Sequence, residues 1–190
     1  MTPWMRMLHK WVGLIIGLQL VIWTGSGVLM SLLDTAKVNN LHHLAAKPSP
    51  QPWPEAAIAP SIIVARDDRS IQSVETHWLA GKPVYRLTDG ISTWLASTRD
   101  GRAVPVTAPD VLTVATADYV GDGQAAAPEL IKDAMWEVRD HAGPIWRVNF
   151  SDADGTTVYV SGQDGRVLER RNDTWRIFDF AMMLHFMDYT

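Results

Sequence analysis

The chain has 190 residues, a formal net charge of −4 and no cysteine. That length allows one soluble domain, or two small ones plus an anchor. The thin charge offers no basic patch to follow a phosphate backbone, so nucleic acid is not the expected partner. The missing cysteines exclude disulfides, thiolate metal sites and covalent haem attachment through Cys-x-x-Cys-His.

The first element is an uncharged run from Trp11 to Leu33. A bilayer core about 30 Å thick needs roughly 20 apolar residues in a helix, and this run has them. A signal-peptide core is usually about 7–15 residues and leads into a small-x-small cleavage site. Here "DTAKVNN" follows and supplies none. A buried soluble helix would keep one polar face, but only Gln19, Thr24, Ser26 and Ser31 interrupt the run. The expectation is an uncleaved signal anchor over residues 1–34. Arg6 and Lys10 precede the span and Asp34 follows it, with Lys37 weakening the asymmetry. The positive-inside rule then places the N-terminus in the cytoplasm and the bulk of the chain beyond the inner membrane, in the periplasm of a Gram-negative cell. Trp4 and Trp11 suit a membrane interface. Gly13 and Gly17 lie one turn apart on one face, where a second helix can approach closely. The alternative is that glycine is simply frequent in membrane helices.

Residues 35–60 form a connector. Its "LAAKPSPQPWPEAAIAP" (44–60) repeats proline often enough to favour a stiff extended spacer. Two similar segments follow, one starting at His77 and one at His141. Pro83-Val84-Tyr85-Arg86 answers Pro144-Ile145-Trp146-Arg147, and Asp100-Gly101-Arg102 answers Asp164-Gly165-Arg166. "VYRL", "STWLAST", "WRVNF" and "TTVYVS" alternate apolar and polar residues as half-buried strands do. Asp-Gly pairs at 89–90, 100–101, 154–155 and 164–165 supply hairpin turns. Each copy is thus expected to be a three-stranded antiparallel meander behind a helix: 61–108 for the first, 109–171 for the second. Pro60 marks the start of the first helix. The second is expected to run to Gly121, and "APELIKDAMWEV" to form another short helix leading into a strand. A helix laid on each sheet gives an α+β region.

Residues 172–190 read as an apolar C-terminal helix capped by Asn172, Asp173 or Thr174. It is too short to span. An interfacial helix or a helix packed on a partner is favoured over one docked within the chain's own fold, because so much of its surface is apolar.

These motifs together resemble the membrane-anchored PepSY family with its associated transmembrane helix. "LHKWVGLIIGLQLVIWTGSGVLMSL" (Leu8–Leu32) looks like the family's first membrane helix. "ATADYVGDG" with "PIWRVNFSDADGTTVYVSGQDGRVLERR" looks like the PepSY helix and sheet, and "WRIFDFAMMLHFMDY" like the following Leu-His-x-x-Asp-aromatic segment. The resemblance implies tandem PepSY-like units. Their fold is similar to the inhibitory propeptide region of some secreted metalloproteases, which implies binding or restraining other envelope proteins. Other members, with more membrane helices, resemble haem-containing reductases that pass electrons across the membrane to iron–siderophore substrates. In the family a second membrane helix usually follows the Leu-His-x-x-Asp segment; the sequence here ends at Thr190.

His9 and His185 occupy family-like positions, which implies haem b ligation, but only together with a partner's groups, because His9 is expected at the cytoplasmic end of the span and His185 outside it. His42-His43 lies on His185's side and could approach it. An interfacial polar role is the plainer reading of such histidines. His77 and His141 are expected to begin matching strands, through repeat ancestry alone. "DADG" (152–155) hints at a calcium loop but lacks the later ligands, so a hairpin turn is expected. No nucleophile elbow, catalytic triad order, His-Glu-x-x-His or phosphate loop occurs. The expected function is therefore non-enzymatic: a membrane-anchored periplasmic accessory subunit that binds a larger membrane complex or a second copy. A haem-bearing electron-transfer subunit and a modulator of an envelope protease are the alternatives.

Overall fold

A computed structural model of the protein describes residues 2–46, 49, 51–132 and 135–187. In chain order the elements are α1 (Pro3–Leu32), α2 (Thr35–Val38), α3 (Pro60–Arg66), β1 (Ser73–Leu79), β2 (Lys82–Thr88), β3 (Thr93–Ser97), α4 (Ala108–Asp118), β4 (Glu129–Ile131), β5 (Ile145–Asn149), β6 (Thr157–Ser161), β7 (Val167–Arg171) and α5 (Asp173–Phe186). The fold is mixed α+β: a long apolar N-terminal helix, two antiparallel sheets and a C-terminal helix. It divides into two compact units. One takes the chain up to Leu41 and again from Asn172, and the other is His42–Arg171.

In the first unit, α1 starts at Pro3, whose fixed φ suits a first helical position. Its 30 residues reach about 45 Å, and the helix takes in Arg6, His9 and Lys10 upstream of the uncharged run. It ends where Leu33 turns extended, and Asp34 caps α2 by accepting from the Ala36 amide at 2.8 Å. Asn172 is fully buried and joins three pieces. Its Nδ2 donates to the Lys37 carbonyl (2.7 Å) and to Asn40 Oδ1 (3.0 Å), while its Oδ1 caps α5 through the Trp175 amide (2.7 Å). The start of α5 is thereby tied beyond the C-terminal end of α1, whereas His185 near its other end touches Trp23 and Ser26. The two helices therefore run antiparallel. Gln19, Ile22, Ser26, Gly27 and Met30 are the covered or half-covered positions of α1, on one face at helical spacing, and Leu33 just past its end is half-covered too.

The C-terminal helix packs on α1, a contact within the chain's own fold that the sequence reading ranked below an interfacial or partner-bound role. It keeps apolar surface all the same, since Ile177, Phe180 and Phe186 stay exposed. The sequence calls at Asp188 and Thr190 lie outside the described residues.

In the second unit, sheet one has the order β1-β2-β3 and sheet two β4-β5-β6-β7. The second sheet corrects the expected three strands. Glu129–Ile131, read as part of a helix, pairs with β5, Leu130 opposite Trp146. A free β5 edge offers these three residues ladder hydrogen bonds that an isolated turn of helix behind Pro128 would not. Later in that segment Trp136–Val138 forms a 3-10 turn. The β1–β2 hairpin turns on Ala80 (φ 49°) and Gly81 (φ 77°), the positive pair that a tight hairpin requires.

The two Asp-Gly-Arg turns that match in the sequence also match in their hydrogen bonds. After β3, the Gly101 amide donates to the Ser97 carbonyl (2.9 Å) and the Ser97 amide to Arg102 (2.8 Å). After β6, Gly165 donates to Ser161 (2.9 Å) and Ser161 to Arg166 (2.9 Å). The copies do not stand apart, however. Leu79, Val84 and Leu95 of sheet one share a core with Val111 and Ala115 of α4 and Val148, Val158 and Val160 of sheet two. Nor is the Pro-rich connector a free spacer. Trp53 and Ile58 pack against Ile63, Tyr85, Leu87 and Ala96, and Tyr85 Oη donates to the Ile58 carbonyl at 2.8 Å. Apolar side chains among the prolines found a sheet face to cover.

α4 opens on a capping box in which Asp110 accepts from the Thr107 amide (3.2 Å) and hydroxyl (2.6 Å). It ends at Asp118 rather than Gly121, because the chain turns extended at Tyr119 to pair with Leu44. Burial alone would raise the Asp110 carboxyl, but hydrogen bonds from Lys82 and Thr107 outweigh it and hold it below its ordinary 3.8. Replacing Asp110 by alanine is expected to cost about 1 kcal/mol in denaturant unfolding, the usual value of a lost helix cap. The exposed Lys82 ammonium adds little. Because the folded value is the lower one, the difference from wild type is full above 3.8 and fades as pH falls through the folded value.

Candidate functional sites

The first unit gathers polar groups on the α1–α5 contact. His185 Nδ1 lies 3.0 Å from the Trp23 carbonyl and 3.2 Å from Ser26 Oγ, and its ring stacks on Trp23 at 4.9 Å between centroids. A carbonyl can only accept, so Nδ1 carries the proton toward it. Ser26 Oγ also donates to the Trp23 carbonyl, at 3.0 Å. The Nε2 of Gln19, one face-turn further along α1, is buried with no hydrogen-bond partner among the described residues. The close approach of the two helices falls at Gly27, where a Cβ would stand 3.1 Å from the His185 ring. Gly13 and Gly17, the pair singled out in the sequence, face open space in this chain.

His185 is therefore not set apart from the long helix, as the sequence reading had it, but held against its second half. His9 lies 14 residues before Trp23 on that helix, about 21 Å along its axis. The two histidines cannot serve as axial ligands of one iron. His185 belongs to the first unit, His42-His43 to the second.

There they close on the "DADG" turn between β5 and β6. His42 Nε2 is 2.8 Å and His43 Nε2 3.0 Å from Asp154 Oδ2, and Asp152 Oδ2 is 3.8 Å from His43 Nε2. The backbone holds this approach in place. Val120 donates to the His43 carbonyl (2.8 Å) and Ala45 to the Asp118 carbonyl (2.9 Å). Asp152 accepts from Tyr119 Oη (2.9 Å) and from the Thr156 amide (2.8 Å). The hairpin turn expected at "DADG" is present, and what the sequence reading missed is its histidine partners. No local signal marks them, since more than a hundred residues separate the two halves.

His77 and His141 are not equivalent. His77 lies inside β1, half-buried, with Nε2 2.9 Å from the Asp164 carbonyl, and burial pushes it below its ordinary 6.5. His141 sits in the loop before β5 against Glu169 at 2.9 Å. Asp164 receives Arg86 Nε at 2.8 Å, and Arg86 also reaches Glu75 at 3.0 Å. These contacts are structural ties between the copies. A groove of about 570 Å3 lies between Trp78, the end of α4 and Val167, but Asp118 on its wall is engaged by Arg170.

No family model matches the chain, nor does any curated protein or solved structure.

Proposed function

We propose that the protein is a membrane-anchored, PepSY-type accessory subunit with a binding role rather than a catalytic one. In this reading α1 crosses the inner membrane with its N-terminus in the cytoplasm, and His42–Arg171 stands in the periplasm. One observation carries it: α1 keeps its apolar surface open even with α5 seated on one face, Leu14, Ile15, Leu18 and Val21 being 59–69% exposed. In water such a surface is a liability; in lipid, or against a partner's helices, it is covered. The resemblance of residues 8–32, 115–123, 144–171 and 175–189 to the PepSY family supports the same reading. With Leu33 at the outer boundary, Trp23 and Ser26 lie about 10–15 Å inside it, so the His185 end of α5 enters the apolar layer.

The open Gly13/Gly17 face is then the docking strip for a further helix. Purification in mild native detergent followed by mass identification tests this. Larger integral membrane proteins should accompany the wild-type chain, and Gly13→Leu with Gly17→Leu should release them. Recovery as a lone monomer overturns the accessory reading.

His9 and His185 lie too far apart to ligate one haem within a single chain. The Nδ1–carbonyl bond of His185 does leave its Nε2 lone pair free for a metal, which favours one second reading, a haem shared with a partner chain. A Soret band in the native preparation that His185→Ala abolishes would establish it, and a colourless preparation would remove it.

A further inference from the structure

We infer that His42, His43 and Asp154 form a binding site for a divalent transition-metal ion of the zinc class, distinct from any role of the anchor. The three ligand atoms lie within 4.8 Å of one another. Their hydrogen bonding calls for positive charge between imidazole and carboxylate, which a second ring proton or a metal ion supplies. His43 Nδ1 lies 2.9 Å from the Val120 carbonyl, which can only accept, so the ring proton sits on Nδ1. Its Nε2 then presents a lone pair, yet it points at a carboxylate oxygen 3.0 Å away. With the ring neutral, two acceptors face each other there. His42, whose ring centre is 4.1 Å from that of His43, brings its own Nε2 to the same oxygen. An ion at this meeting point satisfies all three atoms. The histidine bonded through its other nitrogen to a backbone carbonyl is the arrangement in which metal-bound imidazoles are commonly held.

The surroundings are shaped closely around these side chains. A Cβ at Gly121 would come within 2.3 Å of Tyr119 Oη and 2.9 Å of His43 Nδ1. One at Gly123 would meet the Asp152 amide nitrogen and Tyr119 Oη, each at 2.9 Å. "VGDGQ" therefore wraps the cluster with backbone alone. Tyr119 and Thr156 hold the Asp152 carboxylate beside it, 3.8 Å from His43 Nε2.

The donor set names the metal class. Two imidazole nitrogens and a carboxylate suit zinc, copper or nickel; calcium and magnesium want an all-oxygen shell. Ligands about 2.0–2.1 Å from a tetrahedral ion sit about 3.3 Å from one another, so the present 2.8 and 3.0 Å need to open by only a few tenths. The His42 and Asp154 side chains are 27% and 33% exposed, which leaves an entry path and a solvent-facing coordination position. The bound ion would tie the start of the second unit, just after Leu41, to its β5–β6 turn.

The test uses the full chain in mild detergent, purified without a histidine tag and stripped with chelator. Zinc is then titrated against a chromophoric chelator. One zinc per chain is expected, with calcium failing to compete. Asp154→Asn and His43→Gln should each weaken zinc at least tenfold, and zinc should raise the melting temperature of wild type but of neither variant. Far-UV circular dichroism checks that the variants fold, and His42→Gln replaces any that does not. Absence of stoichiometric zinc uptake, or unchanged uptake by the variants, overturns the assignment.

Discussion

Replacing Arg86 by methionine is expected to lower the unfolding free energy of the chain by about 3 kcal/mol. Arg86 donates to Asp164 Oδ2 at 2.8 Å, and that carboxylate is only 4% exposed. Methionine fills the space of the side-chain stem but leaves a buried charge short of its partner. Arg166 also reaches Asp164 at 2.8 Å, but it is half-exposed and compensates only in part. The repeat provides its own control. Asp100 occupies the matching position in the first copy, where both it and Arg102 are exposed. Arg102→Met should therefore leave the unfolding free energy nearly unchanged. Burial would raise the Asp164 carboxyl, but hydrogen bonds from Arg86, Ser161 and the Arg166 amide outweigh it and hold it below 3.8. The stability it contributes is full above 3.8 and is lost as pH falls through the lower folded value. Urea unfolding should show the gap between wild type and Arg86→Met narrowing over that acid range. A gap independent of pH would show that the carboxylate is not its source.

The second large effect is expected at Gly27. A leucine there must put its branch where the His185 ring lies, since the first carbon alone stands 3.1 Å from His185 Cε1. The ring would leave Trp23 and Ser26, and the second half of α5 would lift from α1. The absence of cysteine makes this simple to read. Ala181→Cys gives a single thiol at a fully buried position of α5. Its maleimide labelling should be slow in the wild-type background and at least tenfold faster with Gly27→Leu. Gly13→Leu, with nothing within 4 Å, should leave it slow. Equal protection in all three would mean that the Gly27 contact does not hold the pair together.

These two contacts differ in how far the sequence announced them. The Asp-Gly-Arg repeat is local, its turn chemistry is written in consecutive residues, and the paired hydrogen bonds at Ser97 and Ser161 follow from it. The uncharged run that makes up most of α1 was legible for the same reason. That only Asp164 of the two aspartates is buried depends on sheet one folding over it, and no window of sequence holds that information. Glu129–Ile131 became a strand because β5 had an open edge, and Trp53 became core because Tyr85 and Ile63 lay beneath it. Tertiary partners decided both. His42, His43 and Asp154 are the extreme case: an ordinary His-His pair and an ordinary turn acquire meaning only when Leu44 pairs with Tyr119 and brings them together. Gly27 was one glycine among four in the helix, and only the seat of His185 distinguishes it.

The anchor is tested most directly by the intact mass of the chain in carbonate-washed membranes. An uncleaved α1 requires a mass that includes residues 1–34, with none of the product released by osmotic shock. A mature N-terminus within residues 35–60, on a chain set free in the shock fluid, would contradict it.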